Sequence, residues 1–516
     1  MSKALFLITE LHRPVGGLYR YATELLPAWR NAFDNGKCEY EPLPLSIRDP
    51  AAPLGDLRES RKFKAVADAA GVKIFEAIRG GEACYFLERT MELQERNEFH
   101  KLLWDKYRVQ SERMAPWPDY AVLNAFWKYA PIVAAQMVKE GEKIAVVDAQ
   151  DWLAFPAGFM AAEALNKALV CRFHSGEFGR SLGTPDLSAA PVQIERAALQ
   201  EADFVQGVSV GEAKFELYHL LPLKNELYNQ LKDSRSAQWR GEQEWKTGLY
   251  EEYLLLESEN LELLGRNAGG LPNGIILDDW EKVTKADVRK GRKALEKLMA
   301  GKSKYVLFIG RAEYRKGIDH LLEAFALLGE RDVGLIISTV LSEPDLNRLR
   351  LKAANLGIAE RVLVSNGWLD EEMKKPLFCA ADVIALPSLY EPFGIVTLEG
   401  LAADLACEKN GLKGPVVVVG DTGGMREVIK NGVNGFKVPL EEGQFSMNPA
   451  FMAKILSIAL GNDEIARRVS QGGAARVQNT DFNWEHVATR VQEIYKRAIA
   501  NHAKWEAASA AAKRSK

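Results

Sequence analysis

Cysteine is scarce in this chain of 516 residues, neither sign of charge predominates, and no apolar run reaches membrane-spanning length. The five cysteines are widely spaced without a C-x-x-C pair, which indicates reduced core residues of a cytoplasmic protein. The 67 basic residues nearly balance the 70 acidic ones, so nucleic acid is not expected as a partner. The lack of a long apolar run predicts no membrane span. The opening run MSKALFLITEL is too short for a secretory signal and predicts a first strand.

Short apolar segments alternate with longer helical ones along most of the chain. This pattern predicts an α/β protein with parallel sheets covered by helices, and the length favours two domains over a single core. The predicted strands are 4–9, 144–148, 169–173 and 204–209 in the first half, and 305–309, 333–339, 361–365, 382–386 and 415–419 in the second.

The Gly-, Pro- and Asn-rich stretch NAGGLPNGIILDDW at 267–280 predicts a linker and a domain boundary near residue 283. The expected division is an N-terminal domain at 1–283, a C-terminal domain at 284–481, a terminal helix at 482–500 and a tail at 501–516.

Two highly charged stretches, 49–127 and 212–266, interrupt the alternation. Each is too long for an ordinary connection and has helical character, so both are predicted to be helical insertions in the N-terminal domain. The Tyr and Leu stripe of the second stretch fits the core of a helical hairpin or a homo-oligomer contact better than a ligand site.

Glu391 and Glu399 lie eight positions apart in the run PSLYEPFGIVTLEG. The apolar run before them predicts a buried strand and the run after them a helix, so Glu391 is expected in the connecting loop and Glu399 inside the helix. Pro392 and Gly394 fit a tight turn into a helix N-terminus, which favours a phosphate or a sugar hydroxyl. A capping carboxylate beside a solvated helix residue explains the same pattern.

Four other predicted strand ends carry glycine-rich or polar loops, and open α/β sheets bind ligands at such ends. Gly16 and Gly17 allow a ligand to approach the backbone, although a plain tight turn needs the same residues. His174 follows a strand in HSGEFGR, with Arg180 six residues later, and the neighbouring Ser-Gly favours a functional histidine over a structural one.

The remaining two strand ends suit anions. Arg311 and Lys316 in RAEYRKG place two cations on one short turn, which can neutralise a diphosphate. The DTGG run offers successive backbone N–H groups from Thr422, Gly423 and Gly424, which can bind an anion or merely begin a helix.

This set of motifs resembles the retaining nucleotide-sugar glycosyltransferases of the GT-B fold. The matching motifs are GGL, the strand-end histidine, PNG, GR with KG, E-x7-E and TGG. The chain looks closest to family 4 of these enzymes and to the glycogen and starch synthases, since DAQDWLAFPAG resembles the synthases' H-D-W segment. The resemblance covers nearly the whole chain except the two insertions and the tail. It implies two Rossmann-like domains facing a cleft that closes on the donor, with the terminal helix returning to the first domain.

The resemblance also implies residue roles. Glu391 would contact the transferred sugar, Glu399 the ribose hydroxyls, and His174 the donor sugar. Arg311 and Lys316 would hold the diphosphate. Further donor contacts are implied for Gly16, Gly17, Arg180, Gly394, Ile395, Thr422, Gly423 and Gly424.

The implied reaction moves a hexose, glucose, from UDP-glucose or ADP-glucose to a glucan or another sugar-containing acceptor, with retention at the anomeric carbon and without a cofactor. No D-x-D motif occurs, in keeping with a metal-independent enzyme. Two departures stand out: PVGGL replaces the synthases' K-T-G-G-L, and the link at 403–414 is lengthened, which is expected to alter the rim of the donor pocket.

Three classes of function stay open from the sequence. The first is the glycosyltransferase. The second is another GT-B activity, such as an α-glucoside phosphorylase or a sugar-nucleotide epimerase. The third is a non-catalytic scaffold that acts through its insertions, and the complete set of site residues counts against it.

Overall fold

The computed structural model describes residues 1–12, 16–114, 120–213, 267–367, 371–441 and 445–514. These residues divide into two compact units, one running to Gly274 and resuming at Trp484, the other spanning Ile275–Asn483. The boundary therefore lies before the predicted residue 283, directly after β-strand and loop residues that belong to the first unit.

The first unit is built on a nine-stranded sheet in the order β3-β4-β5-β2-β1-β6-β7-β8-β9. Its strands pair in parallel, except that β3–β4 and β4–β5 are antiparallel. The strands are β1 Lys3–Leu7, β2 Glu41–Ile47, β3 Arg58–Glu59, β4 Lys73–Arg79, β5 Glu82–Glu88, β6 Ile144–Gln150, β7 Ala168–Phe173, β8 Phe204–Gly207 and β9 Asn267–Gly270.

Seven α-helices of the first unit connect these strands in the described part of the chain. They are α1 Gly17–Asp34, α2 Lys64–Ala70, α3 Leu93–Tyr107, α4 Tyr120–Lys139, α5 Phe155–Leu165, α6 Glu177–Arg180 and α7 Ala190–Glu201.

The stretch 49–127 is not a helical insertion, and that prediction was wrong. Besides α2, α3 and the start of α4 it contains β3 and the hairpin β4–β5, which extend the sheet. The hairpin turns at Gly80 and Gly81, whose φ angles of 57° and 87° suit the tight two-residue turn that glycine favours. The high charge of the stretch concealed this glycine pair between two strand-like runs.

The second predicted insertion, 212–266, lies almost wholly outside the described residues, and its proposed hairpin or oligomer contact falls there.

The second unit carries a six-stranded, all-parallel sheet in the order β12-β11-β10-β13-β14-β15. Its strands are β10 Lys304–Ile309, β11 Val333–Thr339, β12 Val362–Asn366, β13 Val383–Leu386, β14 Val416–Gly420 and β15 Phe436–Val438. Its helices are α8 Asp278–Glu281, α9 Lys285–Leu298, α10 Ile318–Ala326, α11 Glu343–Asn355, α12 Glu371–Ala380, α13 Ile395–Lys409, α14 Gly423–Val428, α15 Pro449–Gly461 and α16 Asp463–Val477. The prediction of two parallel-sheet α/β domains is confirmed.

The sequence predicts a lengthened loop at 403–414 beside the donor site. The structure shows instead that most of this stretch is helical. Ala403 to Lys409 continue α13, because their alanines and Leu405 are buried in the core. A helix of 15 residues is about 22 Å long, so the C-terminus of α13 lies at the amino-terminal ends of the strands, far from its N-terminus at Gly394. There Lys409 pairs with Glu281 at 2.7 Å.

The terminal helix α17, Trp484–Arg514, packs on the first unit and includes most of the predicted tail. Its Val487, Val491 and Ala498 are fully buried in the core that also contains Trp29 of α1. The Ala-rich end of the sequence favours continuation of the helix, since alanine has the highest helix propensity. This buried stripe agrees with the return of the terminal helix to the first domain, which the resemblance implies.

All five cysteines are buried free thiols, as predicted. Within the described ranges, no helix is both long and apolar enough to cross a membrane.

Replacing Val491 by alanine should lower the stability of the first unit by about 2 kcal/mol, because a fully buried side chain leaves a cavity between α17 and α1. Thermal and urea unfolding followed by circular dichroism measure the change. Arg497→Ala at an exposed position of the same helix is the control and should change stability by less than about 0.5 kcal/mol. Equal effects of the two substitutions would contradict the packing.

Candidate functional site

Three loops of the second unit follow the carboxyl ends of neighbouring strands. We name them the β10 loop (310–317), the β13 loop (387–394) and the β14 loop (421–424), of which the last includes the first two residues of α14. Because β10, β13 and β14 are adjacent in a parallel sheet, their loops emerge side by side at the carboxyl ends of the strands. These loops contain most of the residues that the sequence predicts for a nucleotide-sugar donor.

Backbone hydrogen bonds attach the β13 loop to both neighbours. The N–H of Leu389 donates to the carbonyl of Arg315 in the β10 loop at 2.7 Å. On the other side, the N–H of Gly424 donates to the carbonyls of Glu391 at 3.2 Å and Pro392 at 3.0 Å. The three loops therefore form one hydrogen-bonded assembly.

Two glycines permit this close approach of backbones. A Cβ atom on Gly317 would lie 1.9 Å from the carbonyl oxygen of Pro387, and one on Gly423 would lie 1.8 Å from that of Glu391. Both glycines also have positive φ angles, 69° and 45°, which other residues rarely adopt. The local fold thus depends on glycine at the two junctions.

Lys316 and Glu391 meet at the centre of the assembly. The ammonium of Lys316 donates a short hydrogen bond to Glu391 Oε2, and Ser388 Oγ donates to the same oxygen at 3.3 Å. The two side chains are only 16% and 15% exposed. An ion pair that is shielded from solvent in this way holds both charged groups in one geometry. The lysine ammonium also has further N–H donors that can bind an anion.

Arg311 is on the same loop but outside this pair. Its side chain is 57% exposed and lies 3.8 Å from Glu313, which in turn binds Arg315 at 2.5 Å. The predicted pair of cations is therefore unequal: Lys316 is fixed, whereas Arg311 extends towards solvent.

Glu399 is buried inside α13 and pairs with Lys374 of α12. The Lys374 ammonium donates to Glu399 Oε1 at 2.7 Å, and the glutamate side chain is 2% exposed. The sequence places Glu399 correctly inside the helix, but its alternative as a solvated residue is wrong because the side chain lies in the protein interior. The lysine partner was missed.

The starts of α13 and α14 meet the β13 and β14 loops. Gly394 precedes α13 with a φ of 79°, and Ile395 begins the helix without a side-chain cap. The first N–H groups of a helix lack intrahelical partners, although that of Thr397 in this first turn donates to the carbonyl of Gly394 at 2.8 Å. In the β14 loop, Thr422 is fully buried, and the N–H of Gly424 is already occupied by the β13 loop. Gly424 therefore holds the assembly together rather than offering a free N–H to an anion.

In the first unit, Gly16 and Gly17 stand at the start of α1. Gly16 has a φ of 104°, a conformation that favours glycine, and α1 begins without a side-chain cap. Residues 13–15 before them lie outside the described residues. The glycine pair thus forms a strained turn into a helix, as both interpretations of the sequence require.

His174 lies at the carboxyl end of β7 beside a buried polar network. Its Nε2 is 3.1 Å from Gln150 Oε1, and its ring packs edge-on against Tyr21 with centroids 4.5 Å apart. Burial lowers the pKa of His174 well below its usual range, and the nearby Arg172 guanidinium lowers it further. The imidazole is therefore neutral at physiological pH.

Arg180 is engaged by acidic residues of its own unit. It donates to Glu177 at 3.0 Å and lies 3.6 Å from the fully buried Glu195. The resemblance implies a donor contact for Arg180, and in this structure its guanidinium lies beside two carboxylates of its own unit. Burial also raises the pKa of Asp151 from 3.8 to about 6, with Arg180 opposing the shift.

The two sets of residues suit different chemistry. The second unit offers cations and an uncapped helix N-terminus to an anion. The first unit offers a neutral imidazole that packs on buried polar side chains. In the ranges described above, no group of three or more His, Cys, Asp or Glu side chains is placed to hold a metal ion. Lys374 and Gln150 escaped prediction, because a single lysine or glutamine has no local signature; only the DAQDW motif could have indicated Gln150.

Replacing Asp151 by asparagine should make stability less dependent on pH. The raised pKa means that Asp151 stabilises the folded protein below about pH 4, and that this contribution, about 3 kcal/mol for such a shift, is lost as the pH rises through about 6. The melting temperature of Asp151→Asn relative to the unmodified protein should therefore increase between pH 4.5 and 7.5. Asp68→Asn on the exposed face of α2 is the control, and a constant difference for Asp151→Asn would contradict the shift.

A second prediction concerns the junction at Gly317. Gly317→Ala should destabilise the second unit more than Gly301→Ala. Both positions have positive φ, 69° and 78°, but only at Gly317 would the new Cβ meet backbone. Backbone strain alone costs about 1–2 kcal/mol, and the clash adds to it. Differential scanning calorimetry of the two variants measures the difference, and equal losses would argue against the close packing of the loops.

Comparison with known proteins matches part of the second unit to a family model. Residues 292–444 match the model of the glycosyl transferases group 1. A glycosyltransferase of Methanocaldococcus jannaschii is 32% identical over 202 residues, 38% of this chain and 45% of the relative, so the chain spans less than half of it. A D-inositol 3-phosphate glycosyltransferase of Xylanimonas cellulosilytica is 27% identical over 357 residues, 68% of this chain and 72% of the relative.

Solved structures share the fold. Sucrose-phosphate synthase from Thermosynechococcus elongatus has a TM-score of 0.60 at 17% identity, covering 97% of this chain and 100% of that chain. The catalytic domain of starch synthase IV from Arabidopsis thaliana, bound to ADP and acarbose, has a TM-score of 0.59 at 14% identity, covering 97% and 99%. The GT-B fold that the motifs imply is confirmed by these structures, and the segment at residues 292–444 matches the glycosyl transferases group 1.

Proposed function

We propose that the protein is a retaining hexosyltransferase that moves glucose from a nucleoside-diphosphate glucose to a sugar-containing acceptor. The main support for this proposal is the solvent-shielded ion pair of Lys316 and Glu391, which the three loops hold at the carboxyl ends of the strands. A fixed cation and a fixed carboxylate side by side suit the two reacting parts of such a donor. The cation suits the diphosphate, and the carboxylate suits the sugar.

The cations stabilise the leaving group. As the sugar–phosphate bond breaks, negative charge grows on the diphosphate, and preorganised donors lower the barrier most when they need no reorganisation. Lys316 is held in place by Glu391, and the uncapped start of α13 adds backbone N–H groups and the positive end of a helix dipole. Arg311, which extends from the same loop, contributes a second cation.

The carboxylate stabilises the sugar. Glu391 offsets positive charge that develops on the anomeric carbon, and it does not become a covalent nucleophile. In the proposed step the bond between the anomeric carbon and the phosphate oxygen breaks while the acceptor oxygen bonds to the same face of that carbon. The acceptor's proton passes to the leaving phosphate. His174 contributes its neutral ring to the donor sugar, and Glu399 binds the ribose.

The names of similar proteins support a nucleotide-glucose donor without choosing its base. A solved Anabaena structure of the same fold contains UDP-glucose, and the starch synthase structure contains ADP. Relatives include alpha-maltose-1-phosphate synthases and D-inositol 3-phosphate glycosyltransferases. We therefore propose UDP-glucose or ADP-glucose as donor, and either a glucan or a small phosphorylated sugar or polyol as acceptor. The five buried thiols support a cytoplasmic location.

Lys316→Ala and Glu391→Gln should each lower kcat/KM for sugar transfer by about 100-fold or more, the usual cost of removing one preorganised charge-stabilising group. Transfer to glycogen, maltose and sugar phosphates is measured by release of the nucleoside diphosphate. Lys409→Ala, which breaks an ion pair at the far end of α13, is the matched control and should leave the rate nearly unchanged. Undiminished transfer in both site variants would remove the proposed site.

A thermal-shift screen with UDP, ADP and GDP identifies the base. A ligand at 100 times its Kd stabilises the folded protein by about 2.7 kcal/mol, so one nucleotide should raise the melting temperature markedly. No shift with any of the three would contradict a nucleotide-sugar donor and favour a phosphorylase or a non-catalytic scaffold.

A further inference from the structure

A polar row crosses the first unit beneath His174. Gln150 of β6 is the register partner of Arg172 of β7, which is the register partner of Gln206 of β8. Side chains in register on parallel strands point to the same face of the sheet. All three are buried, with at most 1% exposure, although a protein core usually places apolar residues at such positions.

Asp148 determines how the amide of Gln150 is oriented. Asp148 accepts hydrogen bonds from Tyr495 Oη at 2.6 Å and from Gln150 Nε2 at 2.6 Å. Burial raises the pKa of Asp148, and the Arg172 guanidinium, 3.8 Å away, opposes that rise and favours the anionic carboxylate. Because an ionised carboxylate only accepts, Gln150 must present its NH2 group to Asp148. The reversed amide would bring two oxygens together.

This orientation in turn fixes the proton on His174. With its NH2 group on Asp148, Gln150 presents Oε1 to His174 Nε2 at 3.1 Å. A carbonyl oxygen only accepts, so Nε2 carries the proton. Among the described residues, the titratable groups placed against the ring are Tyr21 of α1 and Arg172 of β7, and the Asp151 carboxylate accepts a hydrogen bond from the backbone N–H of His174. Arg172 disfavours a second proton, which leaves Nδ1 as the unprotonated nitrogen.

We propose that Gln150 is a positioning residue that sets the tautomer and ring orientation of His174, and that Asp148 and Tyr495 hold Gln150 for this task. The chain of hydrogen bonds runs from His174 to Gln150 and from Gln150 and Tyr495 to Asp148. It leaves Nδ1 as the hydrogen-bond acceptor for a substrate hydroxyl. That last part rests on the proposed function, whereas the tautomer does not.

The proposal gives the terminal helix a role beyond packing. Tyr495 belongs to α17, more than 300 positions after Asp148, and its hydroxyl is buried against that carboxylate. Its ring also contacts Trp29 of α1 and Tyr40, so the hydroxyl cannot move far. The histidine at one edge of the sheet is thereby connected to the last helix of the chain.

The tautomer can be measured without any substrate. Selective 15N labelling of the seven histidines, with His174→Ala for assignment, reports which ring nitrogen of His174 carries the proton. We expect the Nε2–H form in the unmodified protein and a mixture of tautomers in Gln150→Leu. Tyr495→Phe, which removes only the hydroxyl, should give a smaller change in the same direction. Gln206→Leu is the matched control, since this buried glutamine lies in the same row but makes no hydrogen bond to His174 among the described residues.

Activity supplies the second readout. Gln150→Leu should lower kcat about tenfold with little change in KM for the donor, because a misoriented His174 ring no longer holds the substrate hydroxyl in the reactive geometry. Gln150→Glu should raise the pKa of His174, because the new carboxyl group shares a proton with Asp148 and brings part of their joint negative charge next to Nε2. Activity of that variant should fall on the acid side, where the doubly protonated ring has no acceptor, while the unmodified enzyme keeps a flatter profile.

The outcomes separate this inference from the proposed function. An Nδ1–H tautomer in the unmodified protein, or an unchanged tautomer in Gln150→Leu, would overturn the positioning role whatever the activity. Loss of transfer in Lys316→Ala together with unchanged kcat and pH profile in Gln150→Leu and Gln150→Glu would retain the function and reject the positioning role. A protein inactive with every donor, with the expected tautomer shift, would retain the positioning of His174 and reject the function.

Discussion

The close approach of the β13 loop to its two neighbours is the constraint on which the candidate site depends. Its carbonyls lie where the Cβ atoms of Gly317 and Gly423 would otherwise be, and its backbone bonds to both the β10 and β14 loops. Only this proximity allows Lys316 and Glu391, 75 positions apart, to meet in a screened ion pair. The charges are thus fixed by backbone geometry before any ligand arrives, which is the condition for strong electrostatic stabilisation.

The first unit achieves order by a different means. Instead of an ion pair between two loops, it buries a chain of hydrogen bonds under His174, in which Asp148 orients Gln150 and Gln150 orients the histidine. Asp148 has a raised pKa because it is buried, and Arg172 opposes that rise, so the network needs its own cation to remain charged. Burying such groups is costly unless they are paired, and this explains why α17 supplies the Tyr495 hydroxyl to a strand so distant in sequence.

Much of the fold could be predicted because the central strands are continuous apolar runs with polar strand ends. The sequence did not predict β2, because Pro42 and Pro44 argue against a strand. In the structure β5 pairs only with Leu45–Ile47, so the two prolines have a neighbouring strand, β1, on one side alone. The individual site residues could be named from motifs, but their partners could not. Lys374 meets Glu399 and Glu195 meets Arg180 through tertiary packing, for which no local pattern exists.

The most direct test of the central claim, that the Lys316–Glu391 pair serves a diphosphate, compares nucleoside diphosphate with monophosphate. Calorimetric titration of the unmodified protein and of Lys316→Ala with both forms of the preferred nucleotide measures how much the second phosphate contributes to binding affinity. We expect the unmodified protein to bind the diphosphate at least about tenfold more tightly than the monophosphate, as one charge-assisted hydrogen bond allows, and Lys316→Ala to lose this margin. The same margin in both proteins would contradict it.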